Sequence, residues 1–213
     1  EKVVALGLDT WFHPTVDVQR SGKSDLYAFD GMSKYDIIYP GDLLHCDFGI
    51  SYLTLNTDCQ ELAYVLKPEE TKAPEFLEEA LAQGNAVQDH LTDNYKKGKS
   101  GNAILKQAIE DSKAAGLRPQ IYTHPLGLYG HSAGTTIGMW DAQEGVPGSG
   151  DHPLHEETVY AIELNAKVFI PEWEKDVRVM LEEAGYFGGD GFRYVNGRQT
   201  KLLLVGGKEK HLE

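Results

Sequence analysis

The sequence predicts an α+β domain in which helices pack on one face of a mostly antiparallel sheet. Residues 1–66 are β-rich in composition, residues 69–116 carry apolar residues at helical spacing, and the chain returns to strands from Ile121. Runs of strands, then helices, then strands again are typical of this architecture. With 213 residues, the chain is expected to form a single domain over residues 1–213.

The amino-terminal third is predicted to contain strands joined by tight turns. A short apolar run covers residues 3–6, and residues 37–39 lead into Pro40-Gly41-Asp42, a strong turn signal. Residues 43–49 and 54–66 then have the composition of strands. These two consecutive segments favour a hairpin.

Two amphipathic helices are predicted between residues 69 and 116. Residues 96–101 separate them, and Gly116 is a suitable stop for the second helix. The apolar residues that recur at helical spacing are Phe76, Leu77, Ala80, Leu81, Val87 and Leu91 in the first helix, and Ile104, Leu105, Ala108 and Ile109 in the second.

The carboxyl-terminal part returns to strands and glycine-rich loops. Residues 145–153 have the composition of a loop, whereas residues 159–170 and 177–187 are predicted strands joined by a turn at residues 171–173. A last apolar run at residues 202–205 completes the predicted sheet.

The composition excludes some classes of partner. The formal net charge is -13, which argues against nucleic acid because phosphate binding requires a basic surface. No apolar run approaches the roughly 20 residues that a membrane-spanning helix needs, so a membrane is not an expected partner. Most of the acidic excess is interpreted as a solvated surface, and a few acids remain as candidates for a cation site.

Asp47 and Asp58 are the first such candidates. They lie eleven positions apart on consecutive predicted strands. A hairpin centred between Tyr52 and Leu53 would place the two carboxylates directly opposite each other, where like charges destabilise the pair unless a cation lies between them. The alternative, two unrelated surface aspartates, is left open by this spacing alone.

Two glutamates on the last long strands are further candidates. Glu163 interrupts an apolar strand, and an unpaired carboxylate is costly to bury there, so it faces water or binds a positive group. In the next strand the valines alternate with polar residues, and this alternation places Glu182 on the polar face and Glu183 on the opposite face. A one-residue bulge would exchange the two.

His131 lies in a stretch with three glycines, residues 126–134. Such a loop allows the backbone to approach a ligand closely, although a single histidine in a loop is more often a surface residue. Together with the four carboxylates it would form an oxygen-rich site suited to Mn, Co, Fe or Zn. Two such divalent metal ions would balance four negative charges and could polarise a carbonyl group.

These residues, in this order, resemble the pita-bread metallopeptidases of the M24 type, which include methionine aminopeptidases, prolidases and Xaa-Pro aminopeptidases. The resemblance covers nearly the whole chain and is strongest to the Xaa-Pro aminopeptidase and prolidase branch. It rests on residues 41–49 (GDLLHCDFG), Thr57-Asp58, Gly130-His131 with Gly134, Ala161-Ile162-Glu163 and Leu181-Glu182-Glu183.

The resemblance implies a curved, mostly antiparallel sheet with helices on its outer face. It also implies that Asp47 and Asp58 bind one metal, that His131 binds the other, and that Asp58, Glu163 and Glu182 help to hold the pair. A metal-bridging hydroxide would then attack a short peptide substrate at an Xaa-Pro bond, with Glu163 as the proton relay. The family also includes homo-oligomers, and this chain is expected to be the carboxyl-terminal part of a longer protein.

Three departures from the family pattern are visible. Trp140 stands where a substrate-binding histidine is expected, and only His13 matches a second expected histidine, loosely. The family fold is expected to begin with helices ahead of the first strand, whereas this sequence starts almost at that strand. His124 is a candidate substitute as a donor to the substrate or the transition state.

Three alternatives to a peptidase were considered. Asp47-Phe48-Gly49 matches a kinase tripeptide, but the sequence has neither the glycine-rich phosphate loop nor the His-Arg-Asp segment, so a kinase is rejected. A metal-free hydrolase resembling creatinase would have lost metal ligands, and none of the five candidate ligands is lost from this sequence. A pita-bread domain that binds metal without turnover agrees with the departure at Trp140.

Overall fold

The computed structural model describes residues 2–22 and 37–206. Within them, most strands belong to a nine-stranded sheet whose central order is β2-β3-β6-β10-β9-β7. The helices are α1 (Lys2–Ala5), α2 (Glu75–Thr92) and α3 (Gly101–Ala114). The strands are β1 (Asp9–Thr10), β2 (Thr15–Gln19), β3 (Leu43–Phe48), β4 (Ile50–Tyr52), β5 (Leu55–Asn56), β6 (Cys59–Val65), β7 (Pro119–Ile121), β8 (His124–Leu126), β9 (Thr158–Ile170), β10 (Lys175–Gly188), β11 (Gly191–Tyr194) and β12 (Leu203–Val205).

The sheet is antiparallel throughout its central order. β9 and β10 pair from Ile170 opposite Lys175 to Thr158 opposite Phe187, across a short 3-10 turn at Pro171–Trp173. β12 is the one described strand that runs parallel to its neighbour, β6. The predicted α+β class and the long carboxyl-terminal hairpin are therefore confirmed.

The two long helices cover one face of this sheet. α2 packs on β9 and β10, and Gly84 permits the close approach, since a Cβ atom there would lie 2.6 Å from Val179 Cγ1. α3 begins after Ser100, whose hydroxyl accepts a hydrogen bond from the backbone of Ala103. Among the described helices, none is long and apolar enough to span a membrane.

The apolar faces of helices and sheet form one main core. Its members with at most 1% exposure include Leu62, Leu77, Leu81, Val87, Leu91, Ile104, Leu105, Ile121, Ile162, Leu164 and Leu181. Most residues that predicted the helices by their spacing therefore face the sheet. Desolvation of these side chains is the main force that holds the layers together.

Two apolar segments of the β-rich amino-terminal third are not strands. Residues 2–5 form a helical turn rather than a strand, and residues 37–39 lie outside any strand. Within residues 2–22 and 37–206, neither segment has a neighbouring strand to complete its backbone hydrogen bonds. Local composition therefore did not decide their conformation.

The register predicted for the β3–β6 hairpin is also wrong. Asp47 lies opposite Gln60, not opposite Asp58, and the chain reverses at Leu53 and Thr54. Both turn residues have positive φ values, 48° and 68°, as a two-residue hairpin turn requires. Leucine and threonine rarely adopt this conformation, so their residue types carried no turn signal.

Candidate metal centre

A row of polar side chains crosses four adjacent strands on one face of the sheet. Asp47 on β3 pairs with Gln60 on β6, Gln60 pairs with Glu182 on β10, and Glu182 pairs with Glu163 on β9. Directly paired residues project from the same face with Cβ atoms about 4.5–5.5 Å apart. The sheet therefore gathers three carboxylates and one amide into a single line.

His124 faces this row from β8. Its Nε2 atom lies 3.8 Å from Asp58 Oδ2, 3.7 Å from Glu163 Oε2 and 3.7 Å from Glu182 Oε1. The other ring nitrogen, Nδ1, lies 3.1 Å from the backbone oxygen of Pro125. A proton on Nδ1 satisfies that oxygen and leaves the Nε2 lone pair directed at the carboxylates, which is the usual arrangement of a metal-ligating histidine.

Three buried atoms in this region have no hydrogen-bond partner. They are Asp47 Oδ1, His124 Nε2 and Glu182 Oε1. Buried polar atoms are nearly always satisfied, so three unpartnered acceptors directed at one volume require an explanation. A divalent cation accepts lone pairs from carboxylate oxygen and imidazole nitrogen, and this donor set fits such an ion.

The possible ligand atoms form three overlapping groups, each with all its atoms within 4.8 Å of one another. Asp58, His124 and Glu182 each belong to two groups, so the groups share ligands as a two-ion centre would require. The groups are Asp58, His124 and His131; His124, Glu163 and Glu182; and Asp47, Asp58 and Glu182.

Burial strongly perturbs the acidity of these groups. Burial, followed by the charge of Asp47, raises the pKa of Asp58 to about 8, and burial raises the pKa of Asp47 to about 6. Burial also raises the pKa values of Glu163 and Glu182 well above their usual range and lowers that of His124 to about 4. The site thus disfavours its own negative charge, and a bound cation would reverse that preference.

His131 occupies the exposed rim of this centre. Its ring centroid lies 4.5 Å from that of His124, and Trp11 and Tyr122 contact it at 5.5 and 5.9 Å. Trp140, the residue at the position of an expected histidine, is 5.6 Å from Tyr122 and 39% exposed. An aromatic wall therefore borders the opening to the buried carboxylates.

The glycine-rich loop before His131 makes room for an aromatic side chain. A Cβ atom on Gly130 would lie 2.1 Å from the Trp11 ring, and one on Gly49 would lie 2.0 Å from Trp11 Nε1. That nitrogen donates a hydrogen bond of 2.8 Å to the backbone oxygen of Thr57, next to Asp58. The loop predicted to approach a ligand instead approaches the Trp11 indole.

Other candidate residues lie apart from the carboxylates. Glu183 accepts a hydrogen bond of 2.7 Å from the backbone of Gln199, on the opposite face from Glu182. His13 is exposed, and its Nδ1 atom lies 2.9 Å from the backbone oxygen of Pro14. The alternation in β10 therefore predicted the right glutamate to face the other acids, whereas His13 joins no described group of possible ligands.

Two residues of this region were missed in the sequence. Gln60 became visible only with the strand register, since the predicted register placed Asp58 opposite Asp47. Tyr122 lies two positions before His124, just ahead of β8, and residues two apart share a face where the chain is extended. The two-residue spacing from His124 was the one feature of the sequence that could have predicted Tyr122 at this site.

The antiparallel sheet and its buried carboxylate–imidazole cluster define a class of protein whose site has the donor atoms that divalent cations accept. The model of metallopeptidase family M24 matches residues 4–194. The chain belongs to this family, and the predicted pita-bread fold is confirmed.

Solved structures support the same fold. X-Pro aminopeptidase from Thermotoga maritima matches with a TM-score of 0.64 and 19% identity, over 92% of this chain and 50% of that chain. A dipeptidase from Pyrococcus horikoshii matches with a TM-score of 0.64 and 17% identity, over 92% and 49% of the two chains. The N-terminal domain of the FACT complex subunit SPT16 from Cicer arietinum matches with a TM-score of 0.60 and 15% identity, over 93% and 46%.

The chain thus spans about half the length of these solved relatives. No curated protein matches the sequence. The family match and these structures together place the chain in the M24 family and in its fold.

Proposed function

We propose that this chain is the catalytic domain of a two-metal peptidase that cleaves the bond before proline in short peptides. The observation that carries the proposal is the convergence of three buried, unpartnered atoms, Asp47 Oδ1, His124 Nε2 and Glu182 Oε1. Family membership supplies the reaction class, and the solved relatives include an X-Pro aminopeptidase.

The overlapping ligand groups suggest how two cations would be shared. Asp47, Asp58 and Glu182 would hold one, while His124, Glu163 and Glu182 would hold the other. In this proposal His124 takes the imidazole position that the resemblance assigned to His131, because its Nε2 faces three carboxylates. Bound cations such as Mn, Co, Fe or Zn would polarise the scissile carbonyl and lower the pKa of a water molecule.

The remaining residues would bind the peptide and move its protons. Glu163 is the proposed proton relay, the role that the resemblance implies, because its carboxylate belongs to a proposed ligand group and could accept a proton there. His131 stands at the rim, where an imidazole reaches a peptide carbonyl. Tyr122 and Trp140 form the adjacent wall and offer flat apolar surface to a proline ring.

The first test measures bound metal by mass spectrometry and then hydrolysis of an Xaa-Pro-Xaa peptide. Wild-type protein is compared with Asp58→Ala and with Asp190→Ala, which changes an exposed aspartate away from the site. Two equivalents of metal and metal-dependent cleavage are expected in the wild type and in Asp190→Ala, and neither in Asp58→Ala. Equal cleavage of an Xaa-Ala-Xaa peptide would contradict the proposed preference for proline, while the proposed peptidase activity would stand.

A second candidate is a binding module that retains the metal without turnover. The similarity to the N-terminal domain of the FACT complex subunit SPT16, a protein named for its complex and not for a reaction, favours a binding role. Bound metal in the wild type without cleavage of either peptide would establish it over the peptidase. Failure to bind Mn, Co or Zn after reloading would contradict both candidates and support a creatinase-like, metal-free domain.

A further inference from the structure

A buried hydrogen-bond chain runs from the carboxylate row into the adjacent strands. His45 Nε2 lies 2.8 Å from Gln60 Oε1, and His45 Nδ1 lies 3.0 Å from Asp17 Oδ2. The three residues are 3–4% exposed, and none of them is a member of the groups of possible metal ligands. Buried polar groups of this kind are costly unless they are hydrogen-bonded, and this chain of contacts supplies those bonds.

The contacts fix which way the Gln60 amide points. Its Nε2 atom donates hydrogen bonds of 2.8 Å to Glu163 Oε1 and 2.9 Å to Glu182 Oε2. Its oxygen is then left to accept from His45 Nε2. Rotating the amide by half a turn would direct that oxygen at two carboxylate groups and lose both donated bonds, so the contact with His45 selects the productive orientation.

Gln60 binds one oxygen of each glutamate and leaves the other free. The free oxygens, Glu163 Oε2 and Glu182 Oε1, are the atoms that lie 3.7 Å from His124 Nε2. Without the two donated hydrogen bonds, each carboxylate could rotate about its terminal torsion, which is broad. The amide therefore sets the direction in which both glutamates present a lone pair to the centre.

We propose that Gln60 is a positioning residue for cation binding and that His45 and Asp17 act through it by holding its amide. The inference rests on the proposed metal centre and adds that this centre depends on a partner outside its own ligands. A neutral amide is suited to this place in the row because it separates Asp47 from Glu182 and donates to carboxylates without adding charge.

The test measures the affinity of the purified chain for Mn²⁺ and Zn²⁺ by titration calorimetry. Gln60→Leu keeps the approximate volume and removes both donors. The matched control is Gln88→Leu, a fully buried glutamine of α2 whose Nε2 has no partner. We expect Gln60→Leu to weaken cation binding by about 10–100-fold, the usual cost of losing an outer partner of metal ligands, and Gln88→Leu to leave it within about twofold.

A double-mutant cycle tests the role of His45, and it also serves if one variant folds poorly. His45→Phe keeps a ring and removes the bond to Gln60, so it should weaken binding by about 10-fold in the wild type and by less than about twofold in Gln60→Leu. Additive losses would overturn the relay through Gln60. A thermal melt of each metal-free variant separates a loss of fold from a loss of affinity.

The outcomes separate this inference from the proposed function. Wild-type binding with unchanged affinity in Gln60→Leu would overturn the positioning role and leave the metal centre intact. Absence of binding in the wild type, equal to Asp58→Ala, would overturn the centre and this inference with it.

Discussion

At the residue scale, two histidines compete for one role in the centre. His124 is 3% exposed, and its Nε2 lies within 3.8 Å of three carboxylate groups. His131 is exposed and shares one ligand group, with Asp58 and His124. A buried imidazole surrounded by acids suits a ligand, whereas an exposed imidazole at the opening suits contact with a substrate.

This difference leads to opposite expectations for two alanine variants. Loss of an outer partner of a metal ligand typically weakens metal affinity by about 10–100-fold. His124→Ala should weaken cation binding by more than this, because it removes a direct ligand. His131→Ala should retain the cations and raise KM for the peptide. Calorimetry and steady-state kinetics check the two effects, and loss of metal from His131→Ala alone would restore the original assignment of His131.

Buried titratable groups also predict how stability of the metal-free protein depends on pH. An acid whose pKa is raised by folding binds more protons in the folded state, so stability falls as pH rises through its window, here from 3.8 to about 8 for Asp58. His124, lowered from 6.5 to about 4, contributes the opposite slope below pH 6.5. Above pH 6.5 the His124 imidazole is mostly neutral in both the folded and the unfolded state, so it no longer offsets the loss of stability that the acids cause.

In EDTA, the free energy of unfolding should therefore decrease between pH 6.5 and 8. Asp58→Asn, which does not titrate, should show a shallower decrease. Urea denaturation at several pH values measures both slopes. Identical slopes in the two proteins would mean that Asp58 is already ionised at pH 6.5 in the folded state.

At the element scale, the β3–β6 hairpin and the loop before His131 are joined by Trp11. The indole ring fills the space that the missing side chains of Gly49 and Gly130 leave, and it donates to the backbone beside Asp58. Asn56 strengthens the same junction, because its backbone N–H donates to Gly127 O and its side chain donates to Leu128 O. The position of His131 thus depends on packing between elements that are far apart in sequence.

Gly130→Ala should displace Trp11 and destabilise the fold by about 1–3 kcal/mol, as overpacking of a filled site does. The control is Gly189→Ala, because a Cβ atom at Gly189 would meet no atom within 4 Å. Urea denaturation and Trp fluorescence report stability and the indole environment. Wild-type values for Gly130→Ala would show that this contact is not retained in solution.

At the scale of the whole molecule, the proposed centre connects distant parts of the chain. Its ligand candidates lie on β3, β8, β9 and β10 and in the segment before β6, from Asp47 to Glu182. The unfolded chain cannot hold these groups together, so a cation binds the folded state selectively. Binding energy therefore becomes folding energy.

Each cation site that is filled with Mn²⁺ or Zn²⁺ at about 100 times its Kd should stabilise the protein by about 2.7 kcal/mol. For a domain of this size, that gain raises Tm by about 5–10 °C. Calorimetry in EDTA and in excess metal measures the shift, with Asp58→Ala as the variant expected to show little of it. An equal rise in Asp58→Ala would indicate cation binding elsewhere.

The sequence by itself determined the elements that local pattern controls. Helical spacing placed α2 and α3, apolar composition placed β9, and strand alternation placed β10. The same alternation predicted that Glu182 rather than Glu183 would face the other acids. These features depend on neighbours within a few residues, so periodicity reveals them. The family resemblance followed from the order of the acids and from Gly130-His131.

The tertiary structure decided what depends on contacts between distant residues. The turn at Leu53 and Thr54 set the register that brought Gln60, not Asp58, opposite Asp47. The pairing of β8 with β9 brought His124 to the carboxylates. A shift in register changes every cross-strand neighbour while the local composition stays the same, and for that reason the Asp17–His45–Gln60 chain could not be read from the sequence.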